Sequence, residues 1–336
     1  MSDSQKINVL HVTNGYPSEK FPAYCCFIEE QIRSLEAFNF IVSDIVILNR
    51  FKKPKYAYFF GFFRLISSLR SAKGLHVVHC HHSIPALLVL FLRLFFKKFR
   101  VFVSFLNDPE IEVEGFLKSK LLARYVLKFI ITKGDVLVVK HNPAMQLFGR
   151  KLRYLPNGVD LTRFSNTSRL EARRALGLQV DVRYLLFVSA ISIRPQKRYD
   201  RFSRVLDILN RDGFKVEPLL LINEERERVP LFFLACDCHV LTSDYEGSPN
   251  SIKEAMACNT PCVSTPVGNV PFLLEGLANY AVTTSFSEYE LAEKVREVLV
   301  SEDECDGRGR LVEAGLSMEL VGRKLARWYR ESDKCE

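Results

Sequence analysis

An α/β fold with two doubly wound parallel sheets is what this sequence predicts, and three observations predict it. Short apolar runs alternate with helical patterns along the whole chain. The alternation restarts after residue 180. The 336 residues are long for one core and comfortable for two. A strand followed by a helix, repeated, means parallel strands covered on both faces. In the first half the strands are expected at 7–12 (INVLHV), 40–48 (FIVSDIVIL), 76–80 (HVVHC), 100–106 (RVFVSFL) and 135–140 (DVLVVK), with helices over CFIEEQIRSLEAF and KSKLLARYVLKFII. In the second half RYLLFVSA (183–190), KVEPLLLI, CHVLTS and PCVST read as strands. YDRFSRVLDILNRDG, closed by Gly213, reads as a helix, as do VPLFFLACD, NSIKEAMAC, FSEYELAEKVREVLVS and MELVGRKLARWYRE. The boundary is expected in the polar stretch DLTRFSNTSRLEARRALG, residues 160–177. Two such sheets imply a cleft, with ligands beyond the carboxyl ends of the strands.

Composition removes several classes of function. Hydrophobic residues are 48% and charged residues 26%, ordinary globular usage and not that of a disordered chain. The start, MSDSQKINVLHVTNGYP, lacks the pattern of a signal peptide. The longest apolar run, Ile84 to Phe96, carries Arg93 and is too short to span a bilayer. The expectation is a soluble, cytoplasmic protein. Nine cysteines, an odd number without a Cys-x-x-Cys pair, read as buried free thiols. The HCHH run at 79–82 invites a metal, but it follows an apolar strand with no carboxylate nearby, so no metal site is expected there. Net charge is +8 and uneven: residues 51–100 hold ten Lys or Arg, eleven Phe or Tyr and no Asp or Glu. Two readings of that segment stay open, helices with aromatic cores and solvated lysines, or peripheral contact with an anionic membrane surface. Nucleic acid is not expected as a partner, because no recognition motif accompanies the charge.

Two constellations carry chemistry. SAISIRPQKRYD, 189–200, directly follows a strand. Arg194 and Lys197 stand three apart, with Pro195 stiffening the turn into a helix. A helix start offers unpaired N–H groups and partial positive charge, Arg grips phosphate with two donors, and Lys adds a point charge. A diphosphate site is one reading and a solvated basic loop the other. The second constellation is SDYEGSPNSIKEAMA, 243–257. Here Ser248 is expected to cap a helix with Pro249 at its first position. Asn250, Ser251 and Glu254 then share a face, while Glu246 stays in the turn. Helix N–H groups suit a phosphate and the two carboxylates suit hydroxyls. A carboxylate pair for hydrolysis is the rival chemistry, and a capped helix with a coincidental Glu pair is the structural alternative.

Taken together, these stretches resemble a known family. EGSPNSIKEAMACNTPCVSTPVG is similar to the glutamate-x7-glutamate signature of retaining nucleotide-sugar glycosyltransferases of the GT-B fold, family 4 (glycosyl transferases group 1). YLPNGVDLTRF (154–164) resembles their interdomain connector, FVSAISIRPQKRYDRF their basic donor-phosphate loop, and INVLHVTNGYP and VVHCHHS their first-domain strand ends. The resemblance covers about residues 6 to 330. It implies a GT-B fold of two Rossmann-like domains facing a cleft: 1–160 on the acceptor side, 161–316 binding the nucleotide sugar, and 317–336 as a helix, around Trp328, crossing back to the first domain. Arg194 and Lys197 would hold the donor diphosphate, Glu246 and the backbone from Gly247 to Asn250 the transferred sugar, and Glu254 the ribose. Glu246, Arg194 and Lys197 are thus the implied catalytic set. Glu254, Gly247, Ser248, Pro249, Asn250, Ser251 and Ile252 form the donor-binding set, and Tyr16, His81 and Asn107 the acceptor side. No metal and no cofactor beyond the nucleotide-sugar substrate is implied.

The sequence departs from the family at two places. SEKFPAYCCF stands where a Gly-rich loop is common, and Leu106 stands where a His is common. The implied activity is transfer of a sugar from a nucleotide diphosphate to an acceptor alcohol, carbohydrate or lipid-linked, in polysaccharide biosynthesis, peripheral at the inner face of the cytoplasmic membrane. A non-catalytic nucleotide-sugar or carbohydrate-binding module and a GT-B-type sugar epimerase are the alternatives.

Overall fold

The computed structural model describes residues 6–49, 56–72, 74–96, 99–117, 119–141, 146–164 and 167–333. The chain divides into two compact units. One comprises Met1–Pro17, Cys25–Gly158 and Met318–Glu336; the other comprises Ser18–Tyr24 and Val159–Ser317. The long-chain division at Gly158/Val159 falls just ahead of the polar stretch at 160–177.

Unit 1 begins with β1 (Ile7–Thr13), α1 (Cys26–Glu36), β2 (Ile41–Ile47), α2 (Ala57–Ser71) and β3 (Leu75–His81). It continues with α3 (Ser83–Leu92), β4 (Arg100–Ser104), α4 (Pro109–Glu114), α5 (Lys120–Lys133) and β5 (Val136–Val139). A two-residue hairpin, β6 (Gln146–Leu147) and β7 (Arg150–Lys151), precedes β8 (Arg153–Tyr154). Six strands form one sheet in the order β2-β1-β3-β4-β5-β8, and all of its pairings are parallel. Strand alternation sorts side chains to opposite faces. Leu10 and Val12 join a core with α2, α3 and α5, whereas Ile7 and Val9 join the core of the other face. Local chemistry starts the helices where they start. Asp108 accepts from the amides of Glu110 (2.9 Å) and Ile111 (3.4 Å) ahead of Pro109, and Ser119 accepts from Leu122 N. Gly61 lets α2 lie close: a Cβ there would stand 2.1 Å from the Leu48 carbonyl oxygen.

Unit 2 opens with α6 (Arg169–Leu176), whose Ser168 and Glu171 form a reciprocal capping box. Next come β9 (Arg183–Ser189), α7 (Tyr199–Arg211), β10 (Val216–Ile222), α8 (Val229–Ala235) and β11 (Cys238–Leu241). After these come α9 (Asn250–Ala257), β12 (Cys262–Ser264), α10 (Val270–Leu274), β13 (Tyr280–Val282), α11 (Glu288–Val300) and α12 (Gly307–Glu313). The five strands pair in parallel in the order β10-β9-β11-β12-β13. Along β9, Tyr184 and Leu186 enter one core and Leu185 and Phe187 the other. Ser18–Tyr24 belongs to this unit, and the Asn223 amide donates to the Lys20 carbonyl at 3.1 Å.

The last helix, α13 (Met318–Asp333), belongs to unit 1. Its Val321, Leu325, Ala326 and Tyr329 fill the core that Ile7, Val9 and Leu35 begin. Among the described residues no helix is long and apolar enough to cross a membrane. Cys26, Cys80, Cys236, Cys238 and Cys262 are buried free thiols, and Cys25, Cys258 and Cys305 are half-buried ones. Burial pushes the Cys80, Cys236, Cys238 and Cys262 thiols well up, so they stay protonated at neutral pH.

Candidate functional site

The carboxyl edge of the five-stranded sheet gathers the two constellations of unit 2. Residues 190–198 follow β9, residues 242–249 follow β11, and residues 265–269 follow β12. These loops are laced together. The Thr242 hydroxyl donates to the Lys197 carbonyl at 2.8 Å, and the Asp244 amide donates to the Gln196 carbonyl at 2.9 Å. The Thr265 hydroxyl donates to the Ser243 carbonyl at 2.7 Å. Gly268 closes the third loop over the second. A Cβ there would meet the Gly247 carbonyl oxygen at 2.3 Å, and its φ of +56° is one that other residues adopt at a cost.

On this scaffold Lys197 Nζ reaches Glu246 Oε1 at 2.6 Å, and the Ser243 hydroxyl donates to the same oxygen at 2.8 Å. Lys197 is 8% exposed, so the ammonium is largely shielded and its partner carboxylate compensates it. Arg194 differs. It is exposed at the start of the turn Pro195–Lys197, and its guanidinium has no ion pair among the described residues. The neighbouring cations are committed to structure. Arg198 pairs with Asp200 and Asp244, and Arg201 donates to the Thr242 carbonyl at 2.6 Å and to Asp244 at 3.1 Å. The Arg198 hydrogen bond holds Asp200 down at about 2.

Helix α9 is fixed from below. The His239 ring bonds the Ser251 hydroxyl at 3.1 Å and the Leu186 carbonyl at 3.0 Å, and burial lowers this histidine to about 4, keeping it neutral. Ser251 therefore faces the sheet, and Ile252 is wholly buried in the core. Both belong to the predicted donor set by position, with side chains spent on packing. The predicted Ser248 cap is corrected. The helix begins at Asn250 after Pro249, without a side-chain cap, and Ser248 instead accepts from the buried Lys253 ammonium at 3.0 Å. Gly247, Ser248 and Pro249 are buried, and Asn250 is half-buried at the helix start. Glu254 is 5% exposed and meets Arg226 NH1 at 2.8 Å. Arg226 lies in the loop after β10, with its guanidinium 5.9 Å from the Phe164 ring centre. Sequence reasoning missed this arginine. The only signal was a cation in a loop following a strand.

In unit 1 the predicted residues Tyr16, His81 and Asn107 all sit at carboxyl ends of strands, after β1, at the end of β3 and after β4. They are not alike. Tyr16 and Asn107 are half-buried. Burial, reinforced by Glu29, raises the Tyr16 phenol. The Asn107 and Leu106 amides donate to the Glu112 carboxylate, at 3.4 and 2.8 Å. His81 is 1% exposed and its Nε2 lies 3.1 Å from His11 Nδ1, inside the sheet. His11 pairs with His79 across the β1–β3 ladder, and the His79 and His81 rings stack 4.3 Å apart. His79 is bonded on both nitrogens, to Tyr329 at 2.5 Å and to Ser104 at 2.8 Å. Burial drives all three well down, His11 to about 3, and burial also brings Lys140, just past β5, down to about 8. The donor atoms of His11, His79 and His81 lie within 4.8 Å of one another, the set among the described residues that could share an ion. As placed, His79 is engaged by Ser104 and Tyr329 and His11 Nδ1 by His81 Nε2, while the buried His11 Nε2 has no hydrogen-bond partner among the described residues. His11 was missed because its neighbours come from another strand.

With this geometry in hand, the chain was compared with known proteins. Residues 215–317, which contain both glutamates, match the family model "Glycosyl transferases group 1". TuaC of Bacillus subtilis, assigned to teichuronic acid biosynthesis as a glycosyltransferase, is 27% identical over 182 residues, 48% of this chain and 45% of that protein. The match thus spans less than half the length of that relative. Among solved structures, sucrose-phosphate synthase from Thermosynechococcus elongatus superposes with a TM-score of 0.74 at 15% identity, covering 97% of this chain and 99% of the other. Anabaena HepE in complex with UDP gives 0.70 at 13% identity, covering 97% and 100%. The trehalose 6-phosphate synthase of Burkholderia multivorans gives 0.69 at 12% identity, covering 97% of each. The chain has the GT-B fold, and its residues 215–317 carry the match to the Glycosyl transferases group 1 family.

Proposed function

We propose that this protein is a glycosyltransferase that moves a sugar from a nucleoside-diphosphate donor to an acceptor alcohol, with retention of anomeric configuration and without a metal ion. One observation carries the reading. At the carboxyl edge of the five-stranded sheet Lys197 holds Glu246, Arg194 stands exposed three residues ahead of Lys197 with no ion pair among the described residues, and Glu246 and the start of α9 lie within the segment of glycosyltransferase likeness. The likeness of fold to HepE, whose solved complexes contain UDP, UDP and glucose, and UDP-glucose, supports a nucleotide-sugar donor.

The chemistry follows from the charges. Arg194 binds the diphosphate with two donors, and the backbone N–H groups opening α9 add partial positive charge. Lys197 turns part of its charge from Glu246 to the phosphate as the sugar–phosphate bond breaks. Charge aimed at the departing oxygens is then the largest protein contribution to the rate. Glu246 accepts from sugar hydroxyls, and Glu254, held by Arg226, accepts from the ribose. The leaving diphosphate takes the acceptor proton, so no strong protein base is needed. The acceptor, carbohydrate or lipid-linked, is met by unit 1 through Tyr16 and Asn107, with His81 behind them, at the cytoplasmic face of the membrane. Incubation with a panel of radiolabelled nucleotide sugars tests this. A glycosylated product with the donor's anomeric configuration supports it. Inverted product removes retention, sugar isomerisation without acceptor makes the protein an epimerase, and binding without chemistry makes it a carbohydrate-binding module.

A further inference from the structure

The helices over one face of the six-stranded sheet are apolar on the outside as well as the inside. Around α2, Tyr56, Phe59, Phe60 and Phe63 are 66%, 62%, 60% and 53% exposed. Their spacing of three, four and seven puts them on one side of the helix. The rings meet edge-on, Phe59 to Phe63 at 4.7 Å and Tyr56 to Phe60 at 6.4 Å. The opposite side, Gly61, Leu65 and Leu69, is buried against the sheet. A surface helix needs one apolar stripe; α2 has two. The pattern recurs on its neighbours. Phe91 and Phe95 at the end of α3 stand 6.0 Å apart, both exposed, and Leu121, Leu122 and Tyr125 are exposed on α5. All three helices bury their inner faces in the same core, so these outward residues belong to one layer. Contiguous exposed apolar surface of this kind marks an interaction site.

Charge selects the occupant. Helices α2, α3 and α5 contain no Asp or Glu, while Arg64, Arg70, Lys120, Arg124, Lys128 and Lys133 lie on α2 and α5. The lysines at 52, 53, 55, 73, 97 and 98 lie outside the described residues. A second copy of these three helices would set their cations against cations, with acid nearby on α4, at the exposed Glu110 and Glu114. A protruding row of aromatics flanked by Lys and Arg instead fits an interface whose surface is anionic and whose interior is apolar.

We propose that the outer layer formed by α2, α3 and α5 docks peripherally on anionic lipid membrane, with the Tyr56–Phe63 row entering the headgroup region. The surface belongs to unit 1 and the donor residues to unit 2, and vesicle binding is read without turnover, so its failure leaves the transfer reaction untouched. The test is co-sedimentation of the full chain with phosphatidylcholine vesicles and with vesicles that also contain phosphatidylglycerol, at about 0.05 and about 0.5 M salt. Binding should be at least about tenfold stronger on the anionic vesicles at low salt and should weaken at high salt. The Phe59→Ser/Phe60→Ser/Phe63→Ser variant should lose about tenfold or more, and Leu121→Ser/Tyr125→Ser several-fold, both with unchanged melting temperature because none of these side chains is buried. Undiminished binding by the triple variant, or none by the wild type, overturns the proposal. So does a wild-type dimer that the triple variant turns into a monomer without vesicle binding, or stronger capture by single-stranded nucleic acid than by anionic vesicles.

Discussion

The carboxyl edges of the two sheets are built from the same kind of parallel strands and are filled in opposite ways. In unit 2 the edge is ionic: Lys197 on Glu246, Arg226 on Glu254, and Arg194 unpaired. In unit 1 the strand ends are packed with buried groups that bond mostly one another and the backbone. His11, His79 and His81 hydrogen-bond among themselves and to Ser104 and Tyr329, and Glu112 is sealed under the amides of Ser83, Leu106 and Asn107. On the proposed reading, the fixed charges of one edge bind an anion. Buried groups bonded mostly to one another and to the backbone make the other a packed wall.

Acid should separate the two edges most strongly. Burial depresses the three histidines of unit 1, so the folded unit keeps them neutral while the unfolded chain takes up protons below about pH 6.5. Their stabilising contribution is complete above that pH and is lost as pH falls, each at no more than about 1.4 kcal/mol per pH unit. Unit 2 has one such histidine, His239. The single tryptophan, Trp328, reports on unit 1 alone. Its fluorescence midpoint in urea should drop between pH 7 and pH 5 more than the far-ultraviolet signal of the whole chain. Equal shifts would refute the contrast.

Removing a cation from the ionic edge is the next largest change. Arg194→Ala should reduce transfer by about 10²–10³-fold, the usual loss for one donor aimed at developing charge. Because Arg194 holds nothing in place, its melting temperature should stay where it is. Full turnover in this variant would remove the diphosphate role. The smallest effect sharpens the comparison. Arg226→Gln frees Glu254 without touching the phosphates, so donor KM should rise about tenfold, about 1.4 kcal/mol, with kcat nearly unchanged. Arg226→Lys should restore part of the loss. A fall in kcat at constant KM would place Arg226 elsewhere in the reaction.

How much of this was legible depended on distance along the chain. β1, β3 and β9 showed as apolar runs because cores on both faces of the sheet take their side chains, and α7 and α11 showed as periodic patterns because a core reads one face of each. The two glutamates and the basic loop showed because their neighbours in sequence are their neighbours in space. The Lys253–Ser248 contact displaced an expected cap because a long side chain reached back five residues. Arg226 and His11 were out of reach, since Glu254 lies on helix α9 and His81 on strand β3, far along the chain. On α2 the sequence held two interleaved stripes, 56/59/60/63 and 61/65/69, and composition could not say which one faced the sheet.

The place of α13 bears on how the chain is made. Its residues are among the last synthesised of the described chain, yet they complete the unit whose strands are made first. Until Val321, Leu325 and Tyr329 arrive, one face of the six-stranded sheet has only α1 over part of it, and His79 has no hydroxyl from Tyr329. The segment Ser18–Tyr24 likewise waits for unit 2. Neither unit is a continuous piece of chain, so no single cut releases either one whole. The nascent chain holds this apolar sheet face partly open until α13 is made.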